Sequence, residues 1–137
     1  MAINSGHTII MADDDEEDCF LATEAFRESG GRAVFSCVKD GIELMDYLSL
    51  CLNSESHPLP KFILLDLNMP RKDGRQALLE IKSDDTLKQI PVVVLTTSEE
   101  PKDKQFSMKA GASSFLTKPA FFDDWVKIMK SLAEQWL

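Results

Sequence analysis

Apolar residues gather along the chain in five short runs: His7 to Ala12, Arg32 to Val38, Lys61 to Asp66, Pro91 to Thr96 and Ser113 to Thr117. Each has the length of a β-strand. Ile63-Leu64-Leu65 and Val92-Val93-Val94-Leu95 are continuous rather than alternating, the pattern of strands covered on both faces in a parallel sheet. Helices must therefore lie on both sides of it.

Between the runs the apolar positions recur at spacings of three and four. Leu44, Leu48 and Cys51 form one such stripe, and Phe122, Trp125, Met129, Leu132 and Trp136 form another, each predicting a helix with one face toward the core. Gly30 and Gly31 end the first helix, Asp40 caps the second, Gly111 ends the fourth, and Pro91 and Pro119 fall outside helices. The segment from Glu100 to Ala110 has the weakest stripe, with Phe106 and Ala110 its clearest members, so the fourth helix is expected to be the least firmly packed. Asn53 to Pro60 is a polar connector.

Five strand-helix units in succession predict an α/β fold, a doubly wound parallel sheet with right-handed crossovers. At 137 residues the chain suits one domain, residues 1–137, and is too short to add a separate output domain. No stretch approaches the ~20 apolar residues of a membrane span, and the N-terminus does not read as an export signal. The net charge of −8 argues against a basic nucleic-acid-binding face. Cys19, Cys37 and Cys51 are odd in number, lack metal-type spacing and lie in apolar patterns, which fits reduced structural thiols and a cytoplasmic location.

Ligands of doubly wound sheets collect beyond the carboxyl ends of the strands, so the residues there carry the functional reading. They are Asp13 and Asp14 after the first strand, Asp66 ending the third, Thr96 ending the fourth and Lys118 after the fifth. Acidic residues in such loops often only cap helices. Grouped carboxylates, however, repel one another unless a cation joins them, and a hard divalent ion such as Mg²⁺ takes oxygen ligands. With Lys118 to balance phosphoryl charge and Thr96 to donate a hydrogen bond, the set suits phosphoryl transfer to a carboxylate nucleophile.

At these positions the sequence resembles the receiver domains of two-component response regulators. The resemblance rests on Ile9-Ile10-Met11-Ala12-Asp13-Asp14-Asp15, Leu64-Leu65-Asp66-Leu67-Asn68-Met69-Pro70, Asp73-Gly74, Val94-Leu95-Thr96-Thr97-Ser98 and Lys118-Pro119. It implies a flavodoxin-like sheet of strand order 2-1-3-4-5. It implies Asp66 as phosphoacceptor, with Asp14, Asp66 and the backbone carbonyl of Asn68 as direct Mg²⁺ ligands and Asp13 acting through water. Lys118 resembles the phosphate-pairing lysine, and Pro119 the loop-shaping proline, conventionally after a cis peptide. Thr96 and Phe115 take the places of the switch pair, and Asn68 and Ser98 those that tune dephosphorylation. Asp15 adds acidity without a role.

The function implied is a phosphoacceptor switch rather than an enzyme acting on outside substrates. Its partners would be a sensor histidine kinase and a downstream protein target or phosphotransfer protein. Pro60-Lys61-Phe62-Ile63, Arg71-Lys72-Asp73-Gly74-Arg75 and the long connector after the second helix resemble small stand-alone receivers that partner phytochrome-type kinases. Arg71, Lys72 and Arg75 otherwise read as a solvated first turn. The face of the fourth helix, fifth strand and fifth helix is the expected partner or homodimer surface, to which Trp125 or Trp136 would add aromatic area unless both lie in the core. A dehalogenase-like phosphatase would carry its aspartate on the first strand, and a flavin carrier would need a phosphate loop there; the intact acidic set also disfavours a phosphorylation-dead scaffold.

Overall fold

The computed structural model describes residues 7–137; the reading of the extreme N-terminus falls on residues outside the described ones. Five parallel strands, β1 Thr8–Ala12, β2 Val34–Val38, β3 Phe62–Leu65, β4 Val92–Thr96 and β5 Ser114–Thr117, form one sheet in the order β2-β1-β3-β4-β5. The helices are α1 Glu16–Glu28, α2 Gly41–Asn53, α3 Gly74–Ser83, α4 Pro101–Lys109 and α5 Phe122–Trp136, with a 3-10 turn at Leu87–Gln89. This is the flavodoxin-like order. Among the described residues no helix is long and apolar enough to cross a membrane.

The strand period of two sorts the core onto two faces. Ile10, Ala12, Ile63, Leu65, Val92 and Val94 point to one side and meet Leu44 and Leu48 of α2 and Ala77, Leu78 and Ile81 of α3. Ile9, Met11, Phe62, Leu64, Val93 and Leu95 point to the other and meet Ala22 and Phe26 of α1 and Trp125, Met129 and Leu132 of α5. Every residue of β3 and β4 is buried, as their unbroken apolar runs require.

Aspartates set three helix starts. Asp15 accepts from the amides of Glu17 and Asp18, Asp40 from Glu43 and Asp73 from Gln76, each bond contributing about 1 kcal/mol. Asp15 thus acquires a role that the sequence alone denied it. Gly30 and Gly111 follow α1 and α4 with φ of +89° and +111°, a region that only glycine enters without strain.

For the two tryptophans the core reading holds, and several other expectations need correction. Trp125 is only 2% exposed and belongs to the core, and Trp136 packs partly buried against the same cluster. Phe122, the first residue of α5, is 38% exposed and falls off the buried stripe of that helix. Cys37 lies on β2, an edge strand, and is exposed rather than buried in an apolar pattern. On α4 the buried residues are polar, Asp103 and Ser107, while Phe106 and Ala110 are only partly covered. Arg71 is exposed, as a solvated turn requires, and pairs with Asp40, whereas Lys72 and Arg75 are only partly exposed and pair with Glu80 and Asp103.

Candidate phosphoryl and metal site

The ladder between neighbouring strands runs one step past their ends and thereby places the polar residues. Asp13 N donates to Val38 O at 3.0 Å, Asp66 N to Ala12 O at 3.0 Å and Lys118 N to Thr96 O at 2.8 Å. The backbone atoms of three site residues are thus held by the sheet, and only their side chains remain to be arranged. Gly74, opening α3, allows the helix to approach closely: a Cβ there would overlap the carbonyl oxygen of Asp66.

Lys118 is the hub. Its side chain is 7% exposed, and its Nζ lies 2.7 Å from Asp13 Oδ2, 2.8 Å from Asp18 Oδ2 and 3.1 Å from Asp66 Oδ2. Burial works against the ammonium, yet the hydrogen bonds to Asp13 and Asp18 and the charge of Asp66 outweigh it and hold its pKa above the ordinary lysine value. Asp13 is buried too, and desolvation pushes its carboxyl from 3.8 up to about 6, against the opposing pull of Lys118 and the Asp15 amide. One cation shared among several carboxylates leaves Asp13 incompletely neutralised.

Asp13, Asp14 and Asp66 each present an oxygen, all within 4.8 Å of one another. Ligands facing each other across a Mg²⁺-sized ion stand about 4 Å apart, so the three oxygens are grouped on the scale of one such site. An all-oxygen, trianionic set with a raised carboxyl pKa fits a hard divalent cation. Asp14 is exposed and open to water, whereas Asp13 has Oδ1 on the Asp15 amide at 2.9 Å and Oδ2 on Lys118. Asp66 Oδ1 accepts from Asn68 N at 3.3 Å.

Thr96 is fully buried, and its Oγ1 accepts from Ser98 N at 3.3 Å, leaving the hydroxyl proton unspent. Phe115, on β5, is partly buried against the cluster that contains α2 and α3. Pro119 follows Lys118 through a trans bond, since no described peptide is cis, which corrects the expected cis geometry. An imide before proline prefers trans by only ≈ 0.5–1 kcal/mol, and Lys118 reaches all three carboxylates from the trans form.

Sequence reasoning missed Asp18, Arg75 and Asp103. Asp18 ends no strand and belongs to none of the motifs; the turn of α1 is what swings it onto Lys118. Arg75 Nη2 lies 2.9 Å from Asp103 Oδ1, and Asp103 Oδ2 accepts from Ser98 Oγ at 2.6 Å. No spacing signal links residues brought together from α3, α4 and a loop.

Comparison with known proteins agrees with this geometry. The family description "Response regulator receiver domain" matches residues 9–130. Response regulator Rcp1 of Synechocystis is 37% identical over 134 residues, which cover 98% of this chain and 91% of Rcp1. The phosphorylated cyanobacterial phytochrome response regulator RcpA superposes with a TM-score of 0.85 at 40% identity, covering 95% of this chain and 93% of that one. The Mn²⁺-bound form of Rcp1 superposes at 0.84 with 37% identity, covering 96% and 94%.

Proposed function

The chain belongs to the response regulator receiver family of two-component signalling, and from that premise we propose that Asp66 is its phosphoacceptor. The observation that carries this reading is the position of Lys118, in contact with Asp13, Asp18 and Asp66 at once. A carboxylate nucleophile held beside a buried ammonium has the charge partner that an incoming phosphoryl group needs. The donor would be a phosphohistidine of a sensor kinase. The P–N bond breaks, a P–O bond forms to Asp66, and the histidine keeps the electron pair.

The divalent ion is assigned as Mg²⁺, held by Asp14, Asp66 and the backbone carbonyl of Asn68. Asp13, whose Oδ1 takes the Asp15 amide and whose Oδ2 is ion-paired with Lys118 but accepts no hydrogen bond, would act through water. When bound, the ion neutralises charge on the phosphoryl oxygens. Lys118 exchanges one carboxylate contact for a phosphoryl oxygen, and Thr96 donates its free hydroxyl proton to another. Drawing Thr96 inward vacates space behind it, which the partly buried ring of Phe115 fills. Asn68 and Ser98 flank the acceptor and set how fast water removes the phosphoryl group, while Pro119 shapes the loop that carries Lys118.

The output is a changed protein-binding surface on α4, β5 and α5, used for a downstream target, a phosphotransfer protein or a second copy of the chain. Likeness to phytochrome response regulators supports a phytochrome-type kinase as the source. We assign the protein to the cytoplasm, as a switch without turnover of outside substrates. Intact-mass measurement after incubation with a small acyl-phosphate donor and Mg²⁺ tests the reading. One phosphoryl mass is expected on the wild type and none on Asp66→Asn or in chelator; an unmodified wild type refutes it.

A further inference from the structure

Two loops meet over the acceptor, one after β3 carrying Asn68 and one after β4 carrying Ser98. Their side chains are joined by contacts that run through two helices. Arg75 of α3 donates from Nη1 to Asn68 Oδ1 at 3.4 Å and from Nη2 and Nε to Asp103 Oδ1 at 2.9 and 3.3 Å. Asp103 of α4 takes the Ser98 hydroxyl on its other oxygen at 2.6 Å. The series Asn68, Arg75, Asp103, Ser98 spans the gap without a break.

Asp103 is only 7% exposed, in a helix whose buried face is otherwise poor in apolar residues. Burying a carboxylate there would be costly without these donors. Its position is therefore determined by Arg75 and Ser98, and it determines theirs in return. From this geometry we infer that Arg75 and Asp103 are positioning residues that brace Asn68 and Ser98 across the mouth of the site and slow hydrolysis of the phosphoryl group. The inference rests on the assignment of Asp66 as acceptor.

Hydrolysis requires a water oxygen to reach phosphorus roughly in line with the bond to Asp66. The new P–O bond forms as the old one breaks, the Asp66 carboxylate is regenerated, and inorganic phosphate leaves with a proton from the water. Side chains tied together across that approach resist its opening. A relay in which Asp103 draws the water proton through Ser98 is disfavoured by the same contacts. The Ser98 proton is already committed to Asp103, its oxygen accepts from Glu100 N at 3.3 Å, and the Ser98 bond and then Arg75 hold the Asp103 carboxyl below its ordinary pKa.

The test compares wild type, Arg75→Ala, Asp103→Asn and the double variant. Each is loaded with an acyl-phosphate donor and Mg²⁺ and freed of donor, and its loss of phosphoryl mass is followed with time. Each single variant is expected to lose the group roughly fivefold faster, the factor for about 1 kcal/mol of barrier. The double variant should lose it no faster than the singles, because one bridge is broken in all. Arg75→Lys, which keeps a donor, should recover part of the lifetime. Met129→Ala, a core change on the opposite face, should melt earlier yet keep the wild-type lifetime.

Arg75 is on a partly exposed surface, so its variants answer the question even if Asp103→Asn does not fold. Unchanged or longer lifetimes, additive effects in the double variant, or an equal acceleration in Met129→Ala would overturn the inference while leaving Asp66 as acceptor. A wild type that takes up no phosphoryl group would overturn both.

Discussion

Replacing Lys118 by methionine removes an ammonium from among Asp13, Asp18 and Asp66, which it contacts at 2.7, 2.8 and 3.1 Å, and keeps most of the apolar stem. Asp13 carries the consequence. Its side chain is fully shielded from water, and burial already raises its carboxyl from 3.8 to about 6. The folded protein therefore holds a proton that the unfolded chain releases, and stability falls as pH rises from 3.8 to about 6. Lys118 opposes that shift. Without it the carboxyl moves further up and the loss of stability continues above about pH 6.

At about pH 8 the ceiling on the extra loss is about two pH units at about 1.4 kcal/mol each, or about 3 kcal/mol. At about pH 5 Asp13 is protonated in both proteins and contributes little difference. Urea unfolding in chelator, followed by the fluorescence of buried Trp125, measures the gap between wild type and Lys118→Met at both pH values. The gap is expected to widen at the higher pH, and Mg²⁺ should narrow it there by supplying positive charge to the folded state. Equal destabilisation at the two pH values would refute the account of Asp13.

Gly74→Ala places a methyl against the Asp66 carbonyl, and a cost of about 2 kcal/mol with slower phosphoryl uptake is expected; a wild-type urea midpoint would show that α3 can move aside freely. The Asp103 carboxyl is held below 3.8 by Ser98 and then Arg75, so its contribution to stability is present above that value and lost as pH falls through the lowered one. Asp103→Asn should flatten the acid limb of the melting curve, and an equally steep limb would contradict this. A hydrogen bond with Cys19 lowers the pKa of exposed Cys37, whereas the same contact raises Cys19 and burial raises Cys51. Iodoacetamide at neutral pH should therefore label Cys37 first, and peptide mapping that finds Cys51 or Cys19 modified as fast would refute it.

Much of the architecture was legible because burial leaves a linear trace. The unbroken runs at β3 and β4 match strands covered on both faces, and the five predicted strands end within a residue or two of the observed ones. The carboxylates, Thr96 and Lys118 were equally legible, since a parallel sheet sends every strand's carboxyl end to one edge. The edges of the pattern were less secure. Phe122 and Cys37 fit apolar periodicities, yet both are exposed, one at the start of α5 and the other on the edge strand β2.

By itself, then, the chain determined the strand-helix alternation, the two-faced core and the strand-end placement of Asp13, Asp14, Asp66, Thr96 and Lys118. Each depends on periodicity or on the order of strands, which are properties of a line. Only the tertiary structure decided that Asp18 joins Lys118, that Asp15 caps a helix, that the bond before Pro119 is trans, and that Arg75 and Asp103 meet between α3 and α4. These depend on side-chain reach across elements far apart in sequence, where a charge's partner is chosen by distance and desolvation in three dimensions.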